Sequence, residues 1–346
     1  MLMMKRFGKA AIFSCFLLLL TGCGKPMESH AHADVTLGAW VADWDMASGM
    51  AEREKMGGKL SSLSYFAAVF ENDGRLSVPK EIPQAKGKAA KVAGQETYLT
   101  IVNDWKNDKG KLVEKDTVIL GKVLHDKETR AAHIEEILAL AQQGGYDGIE
   151  IDYERVGKEK PLMTKYIAFL YEMQEAAAAK GIKLRSILEP GMDYGLGFPE
   201  GPEYVVMFYN LYGTHSGPGP KADGAFIEKT IGRMQALPGK KAAAFATGGC
   251  VWEKFGLLRR ERKSSKFLTE GEAVALQKKY KAKPERDKES AALSFDYEDK
   301  KDGKTYEVWY ADSETLKAWI TLAADKGIPS VMIWRLGDNV TISDVE

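Results

Sequence analysis

Cysteine is scarce in this 346-residue chain, which has three: Cys15, Cys23 and Cys250. The first two fall within or at the end of an export segment, so Cys250 is left without a partner and no internal disulfide is expected in the mature protein. Net charge is missing as well. The 49 basic and 49 acidic residues cancel, which removes any compositional reason to expect a nucleic-acid partner. There is no paired-cysteine or His-x-x-His spacing, so neither a metal site nor a cofactor is expected. His30 and His32 read as solvated residues of a tether. Long apolar runs are confined to the N-terminus, where Ala10 to Leu20 is short for a membrane span.

That N-terminus has the form of an export signal. Lys5, Arg6 and Lys9 precede the apolar run, and Leu20-Thr21-Gly22-Cys23 follows it. This last stretch resembles a bacterial lipobox, in which the peptide is cut before a cysteine that is then acylated. Residues 1–22 are therefore expected to be a lipoprotein signal peptide, with an ordinary signal peptide or a short uncleaved anchor as the alternatives. Residues 23–33 read as lipidated Cys23 and a polar linker. The mature protein is then expected on the outer face of the bacterial cell membrane.

From residue 34 onward the pattern alternates strand and helix. Strand-like segments run at 35–41, 63–70, 98–102, 146–154, 183–188, 204–210, 241–247 and 330–334, and helical apolar spacing lies between most of them. Examples are Ile134, Ile137, Leu138 and Ala141, then Tyr166, Ile167, Leu170 and Met173. Eight such units predict a closed (β/α)8 barrel over 34–346. A doubly wound open sheet is the alternative, disfavoured because no Gly-x-Gly-x-x-Gly follows the first strand. Residues from about 251 to 310 break the rhythm with charge and two strand-like pieces joined at Asp302-Gly303. They are expected to form a hairpin-bearing insertion between strands 7 and 8. Its basic run from Arg259 to Lys266 could meet anionic polymer or simply form a solvated face.

The fourth strand carries the chemistry: Tyr146-Asp147-Gly148-Ile149-Glu150-Ile151-Asp152-Tyr153-Glu154. Period-2 alternation sends Glu150, Asp152 and Glu154 to one face and Ile149, Ile151 and Tyr153 to the other. A row of carboxyls in a buried strand cannot all stay ionised without screening, so at least one pKa must rise, as a general acid near neutrality requires. An edge strand with a solvated acidic face is the plain alternative.

The spacing Asp147-x-x-Glu150-x-Asp152-x-Glu154 resembles the Asp-x-x-Asp-x-Asp-x-Glu signature of family 18 glycoside hydrolases, the chitinase-like enzymes, and most of all their bacterial spore-germination branch. Met207-Phe208-Tyr209-Asn210 is similar to that family's strand-six Met-x-Tyr-Asp, and Trp334 to its final-strand tryptophan. The resemblance implies a TIM barrel that cuts β-1,4 bonds next to N-acetylglucosamine in peptidoglycan or a chitin-like polymer. It also implies substrate-assisted retaining catalysis, in which the sugar's own acetamido oxygen is the nucleophile. By the same resemblance Glu154 is the acid and then the base, Asp152 orients the acetamido group, and Glu150 holds Asp152 and shares its proton. Tyr209 hydrogen-bonds the acetamido oxygen, and Trp334 floors the sugar. Asn210, Trp44 and Asn103 are further substrate-binding candidates, with Trp40 and Trp105 beside them. The sequence departs from the signature at Glu150 and Asn210, where the family has Asp. These departures keep a non-catalytic carbohydrate-binding lipoprotein, or an envelope scaffold, open as alternatives. The expected partners are an N-acetylglucosamine-containing polysaccharide and, through the lipid, the membrane; the chain is expected to be a monomer.

Overall fold

The computed structural model describes residues 34–254 and 265–345. The signal peptide, lipidated Cys23 and tether proposed from the sequence, and most of the basic run after Arg259, lie outside the described residues.

Eight strands form the centre: β1 (Thr36–Ala42), β2 (Leu60–Phe70), β3 (Glu96–Lys106), β4 (Gly148–Asp152), β5 (Lys183–Leu188), β6 (Glu203–Met207), β7 (Lys241–Ala246) and β8 (Ser330–Leu336). Each pairs in parallel with the next, and β8 pairs in parallel with β1. The ring is closed, as the alternation predicts, and a parallel ring needs helical crossovers that cover its outer face.

The helices are α1 (Met46–Met56), α2 (Glu81–Lys88), α3 (Thr117–Val123), α4 (Lys127–Gly144), α5 (Lys160–Ala179), α6 (Gly224–Met234), α7 (Glu270–Tyr280) and α8 (Ser313–Asp325), of which α7 belongs to the insertion described below and not to the ring's cover. Their starts are set by local chemistry. Asp126, Asp223 and Asp312 each accept a backbone N–H of the first turn of α4, α6 and α8; each such cap contributes about 1 kcal/mol. Gly145, at φ +60°, ends α4 in the left-handed conformation that glycine adopts without penalty. In α5, Tyr166, Phe169, Leu170 and Met173 are fully buried against the sheet, each stabilising the fold by roughly 1.5–3 kcal/mol.

The two faces of β4 separate as period 2 requires. Ile149, Ile151 and Tyr153 join the large core between ring and helices, while Glu150 and Asp152 turn inward. Inside the ring a smaller apolar cluster contains Trp40, Val205, Met207, Ala244 and Met332, with Phe66, Tyr209 and Trp334 packed on it.

The insertion is more elaborate than a hairpin. It is a five-stranded antiparallel sheet from Gly248 to Ala311 that also carries α7. The expected hairpin is there, with Leu293–Asp299 pairing Lys304–Ala311. It has its own core of Leu268, Ala273, Phe295, Val308 and Tyr310. Helices α2, α3 and α7 were not legible, being short or rich in polar residues, and α3 depends on the Asp116 cap. Two functional strands also end earlier than expected. β4 stops at Asp152 and β6 at Met207, so Glu154, Tyr209 and Asn210 stand on the segments that follow.

Candidate active site

The four acidic residues of the β4 signature occupy four different environments. Asp147 lies at the N-terminal end of the strand and is a staple: its carboxylate accepts the backbone N–H and the hydroxyl of Thr97, at 2.8 and 3.0 Å. This ties β4 to β3 far from the C-terminal mouth, where barrels of this kind place their chemistry.

Glu150 is fully buried, and each of its oxygens is used twice. Oε2 accepts the indole N–H of Trp40 at 2.7 Å and the hydroxyl of Thr100 at 2.7 Å. Oε1 accepts the hydroxyl of Ser64 at 2.6 Å and the guanidinium of Arg185 at 3.2 Å. Arg185 also pairs with Glu203 at 2.6 Å and lies 3.8 Å over the ring of Tyr98. The expected contact in which Glu150 would hold Asp152 and share its proton is therefore not made. Its lone pairs are filled by donors from β1, β2, β3 and β5, which anchor it as the centre of a closed network. Trp40, a candidate for the cleft wall, is buried as part of the same network.

Asp152, two residues on, is the opposite case. It is buried, yet its Oδ1 accepts no hydrogen bond. Burial first, and then the nearby charge of Glu154, push its pKa well above the usual carboxylate range. It is thus held towards the protonated form.

Glu154 stands at the mouth. Its position is fixed by Asn103, whose amide oxygen accepts the Glu154 backbone N–H at 2.9 Å and whose amide nitrogen donates to the Glu154 carbonyl at 3.1 Å. Asn103 is buried. It is a clamp on the backbone rather than a residue facing the cleft, which corrects its expected substrate-binding place. The Glu154 carboxylate accepts a 2.6 Å hydrogen bond from Lys115, a residue for which the sequence had given no signal. Burial raises the Glu154 pKa while Lys115 pulls it down, and the net direction is up.

Beside Glu154 a cleft of about 480 Å³ opens, lined by Glu189, Met192, Met207, Tyr209 and Asn210 among others. Burial, reinforced by the charges of Asp152 and Glu154, holds the Tyr209 phenol well above its ordinary value, so it remains a proton donor. Asn210 is exposed at the rim with φ +63°, a left-handed conformation that asparagine tolerates better than most residues. A larger recess of about 800 Å³ lies at the other end of the ring around Arg185 and Glu203, away from Glu154.

The aromatic floor is also assembled at the mouth. Trp334 lies 4.7 Å from Phe66, 5.9 Å from Trp40 and 6.4 Å from Trp44, measured between ring centroids. Trp44 is 61% exposed, which is unusual for a side chain of this size unless something is meant to lie against it. Trp105, a further candidate, instead donates its indole N–H to Asp116 at 3.2 Å.

Comparison with known proteins places this geometry. The sequence model described as Glycosyl hydrolases family 18 matches residues 114–339. The uncharacterized glycosylase YvbX of Bacillus subtilis (strain 168) is 26% identical over 296 residues, 81% of each chain. Among solved structures, the spore cortex-lytic enzyme SleL of Bacillus cereus superposes with a TM-score of 0.72 at 21% identity, covering 88% of this chain and 71% of that one. A chitinase of Chromobacterium violaceum gives a TM-score of 0.72 at 17% identity, covering 88% and 95%. At these identities the two structures speak for the fold alone.

Proposed function

The chain belongs to glycosyl hydrolase family 18, so it is a glycosidase of N-acetylglucosamine-containing polymers, and we propose that it cuts β-1,4 bonds next to that sugar by substrate-assisted retaining catalysis. The observation that carries this reading is the unpartnered, buried Oδ1 of Asp152 beside Glu154 and Tyr209. A buried polar oxygen without a donor is costly unless a ligand supplies one, and the N–H of an acetamido group is such a donor.

In this reading Glu154 protonates the leaving glycosidic oxygen as the acetamido oxygen closes on the anomeric carbon. Asp152 accepts the acetamido N–H at Oδ1, the oxygen that has no other donor, and so orients the group. Tyr209 donates to the acetamido oxygen and aligns it. Glu154, now a carboxylate, then takes a proton from the water that opens the ring. Trp334 and Trp44 offer flat apolar surfaces to the sugar faces, and Asn210 offers a neutral hydrogen-bonding group at the rim. Glu150 does not move protons in this scheme; it holds β1, β2, β3 and β5 in register around the site.

The test is Glu154→Gln with defined N-acetylglucosamine oligomers and muropeptides as substrates. Hydrolysis by the wild type and none by the variant is expected; a variant that still hydrolyses would overturn the assignment. With a chitinase and a spore cortex-lytic enzyme among the similar structures, both polymers belong in the screen. The anchored location is part of the same proposal and rests on the sequence around Cys23. Metabolic labelling with a fatty acid should mark the wild type and miss Cys23→Ala. The chain is proposed to act as a monomer, and sedimentation velocity would check it.

A further inference from the structure

We propose that Lys115 is a positioning residue for Glu154: its ammonium holds the carboxylate in place at the cleft edge. This rests on the reading of Glu154 as the acid. The contact is short, 2.6 Å from Nζ to Oε2, and the Lys115 side chain is about one-third exposed. It stands between solvent and the group that must deliver a proton.

The placement is built by the surrounding chain. Lys115 has φ +56°, a conformation that strains most residues with a side chain. Its backbone N–H donates to the carboxylate of Asp104 at 2.7 Å, and its carbonyl accepts the Arg155 guanidinium at 3.5 Å. The next residue, Asp116, caps α3 and donates its N–H to the Asn103 carbonyl at 2.9 Å. The Asn103 side chain binds the Asp116 carbonyl as well as both backbone groups of Glu154. One buried amide thus fixes the segments that carry the lysine and the carboxylate relative to each other.

The charges facing Glu154 are Lys115 from the loop after β3, Asp104 from β3, Asp152 from β4 and Glu189 from the end of β5, with the Tyr209 phenol above them. Lys158 lines the same cleft. Lys115 is the cation in contact. Burial works against its ammonium, but Glu154, Asp152 and Glu189 together hold its pKa above the ordinary lysine value, so it keeps its charge. For the acid step, Glu154 must take a proton from solvent and pass it to the leaving oxygen, while Lys115 keeps its own proton throughout. For the base step the ammonium again faces a carboxylate. A fixed positive charge therefore favours delivery of the proton and lowers the pH above which the acid is lost.

The experiment is a carboxyl-carbon NMR titration of Glu154 in wild type, Lys115→Met and Lys115→Arg, with kcat/KM against pH measured on an N-acetylglucosamine oligomer. Removing an opposite charge at this distance should raise the Glu154 midpoint, and the basic limb with it, by about one unit or more. Lys115→Arg should return both towards wild type. An unchanged midpoint in Lys115→Met, with or without a fall in rate, would overturn the proposal and leave the lysine a structural role. The titration needs no turnover, so a protein that does not hydrolyse would sink the assignment of Glu154 while still deciding the pairing.

Discussion

Glu150→Gln is the sharpest probe of how this strand divides its labour. The change removes one charge and almost no volume. In the native site one oxygen receives Trp40 and Thr100 and the other receives Ser64 and Arg185. A glutamine amide has a donor at one end. Thr100 and Ser64 can rotate a hydroxyl to accept from it, but an indole N–H and a guanidinium cannot. Whichever way the amide turns, it presents N–H to Trp40 or to Arg185, and the buried Arg185 loses one of its two carboxylate partners. An unpaired buried donor costs about 1–3 kcal/mol, and breaking a buried ion pair costs about 3–5 kcal/mol. Because Glu203 still pairs with Arg185, a loss of about 3 kcal/mol is expected, between those two ranges. That is a large fraction of the roughly 5–15 kcal/mol by which domains are stable. Urea unfolding at pH 7, followed by tryptophan fluorescence and far-UV circular dichroism, measures it. Glu154→Gln is the control. Its carboxylate sits at the mouth with a single side-chain partner, and its removal should change stability by less than about 1 kcal/mol, as for a partly exposed pair. If Glu150→Gln unfolds at the wild-type midpoint, the network is not holding the barrel. If it also removes activity without loss of stability, proton sharing with Asp152 would be the better account.

Three further outcomes follow from the same geometry. Asp152 has a pKa raised above its unfolded value near 3.8, so the native state binds more protons than the unfolded chain and stability falls as pH rises from that value towards the folded one. Asp152→Asn should therefore be more stable than wild type at pH 7, with the difference gone near pH 4 in paired urea titrations. Asn103→Ala strands the Glu154 N–H and carbonyl and the Asp116 carbonyl. It should lower kcat more than it raises KM and cost about 2–3 kcal/mol in the same unfolding assay, given about 1–3 kcal/mol for an unsatisfied buried group. Trp44→Ala truncates a side chain that is 61% exposed, and should raise KM for oligosaccharides several-fold with little change in melting temperature.

What could be read without coordinates was whatever repeats along a few residues. The alternation of apolar segments gave eight strands and a ring, and period 2 in β4 gave the inward direction of Glu150 and Asp152, because the alternation of side chains is a property of the local backbone. The spacing of the signature, with Tyr209 and Trp334, gave the family and the list of groups. What the list could not say was what each carboxyl touches. The donors to Glu150 come from residues 35 to 110 positions away in the chain. Lys115 lies 39 residues before Glu154, in a charged stretch with no pattern that singles it out. Asn103 turned from a cleft residue into a backbone clamp because β4 ends at Asp152 and leaves two groups of Glu154 to be satisfied from β3. Charge state and hydrogen-bond partnership are set by neighbours in space and by exclusion of water, and only the closing of the ring brings those neighbours together. The order of residues decided which carboxyls face inward; the barrel decided which one is a strut, which one lacks a partner, and which one is held by a lysine at the mouth.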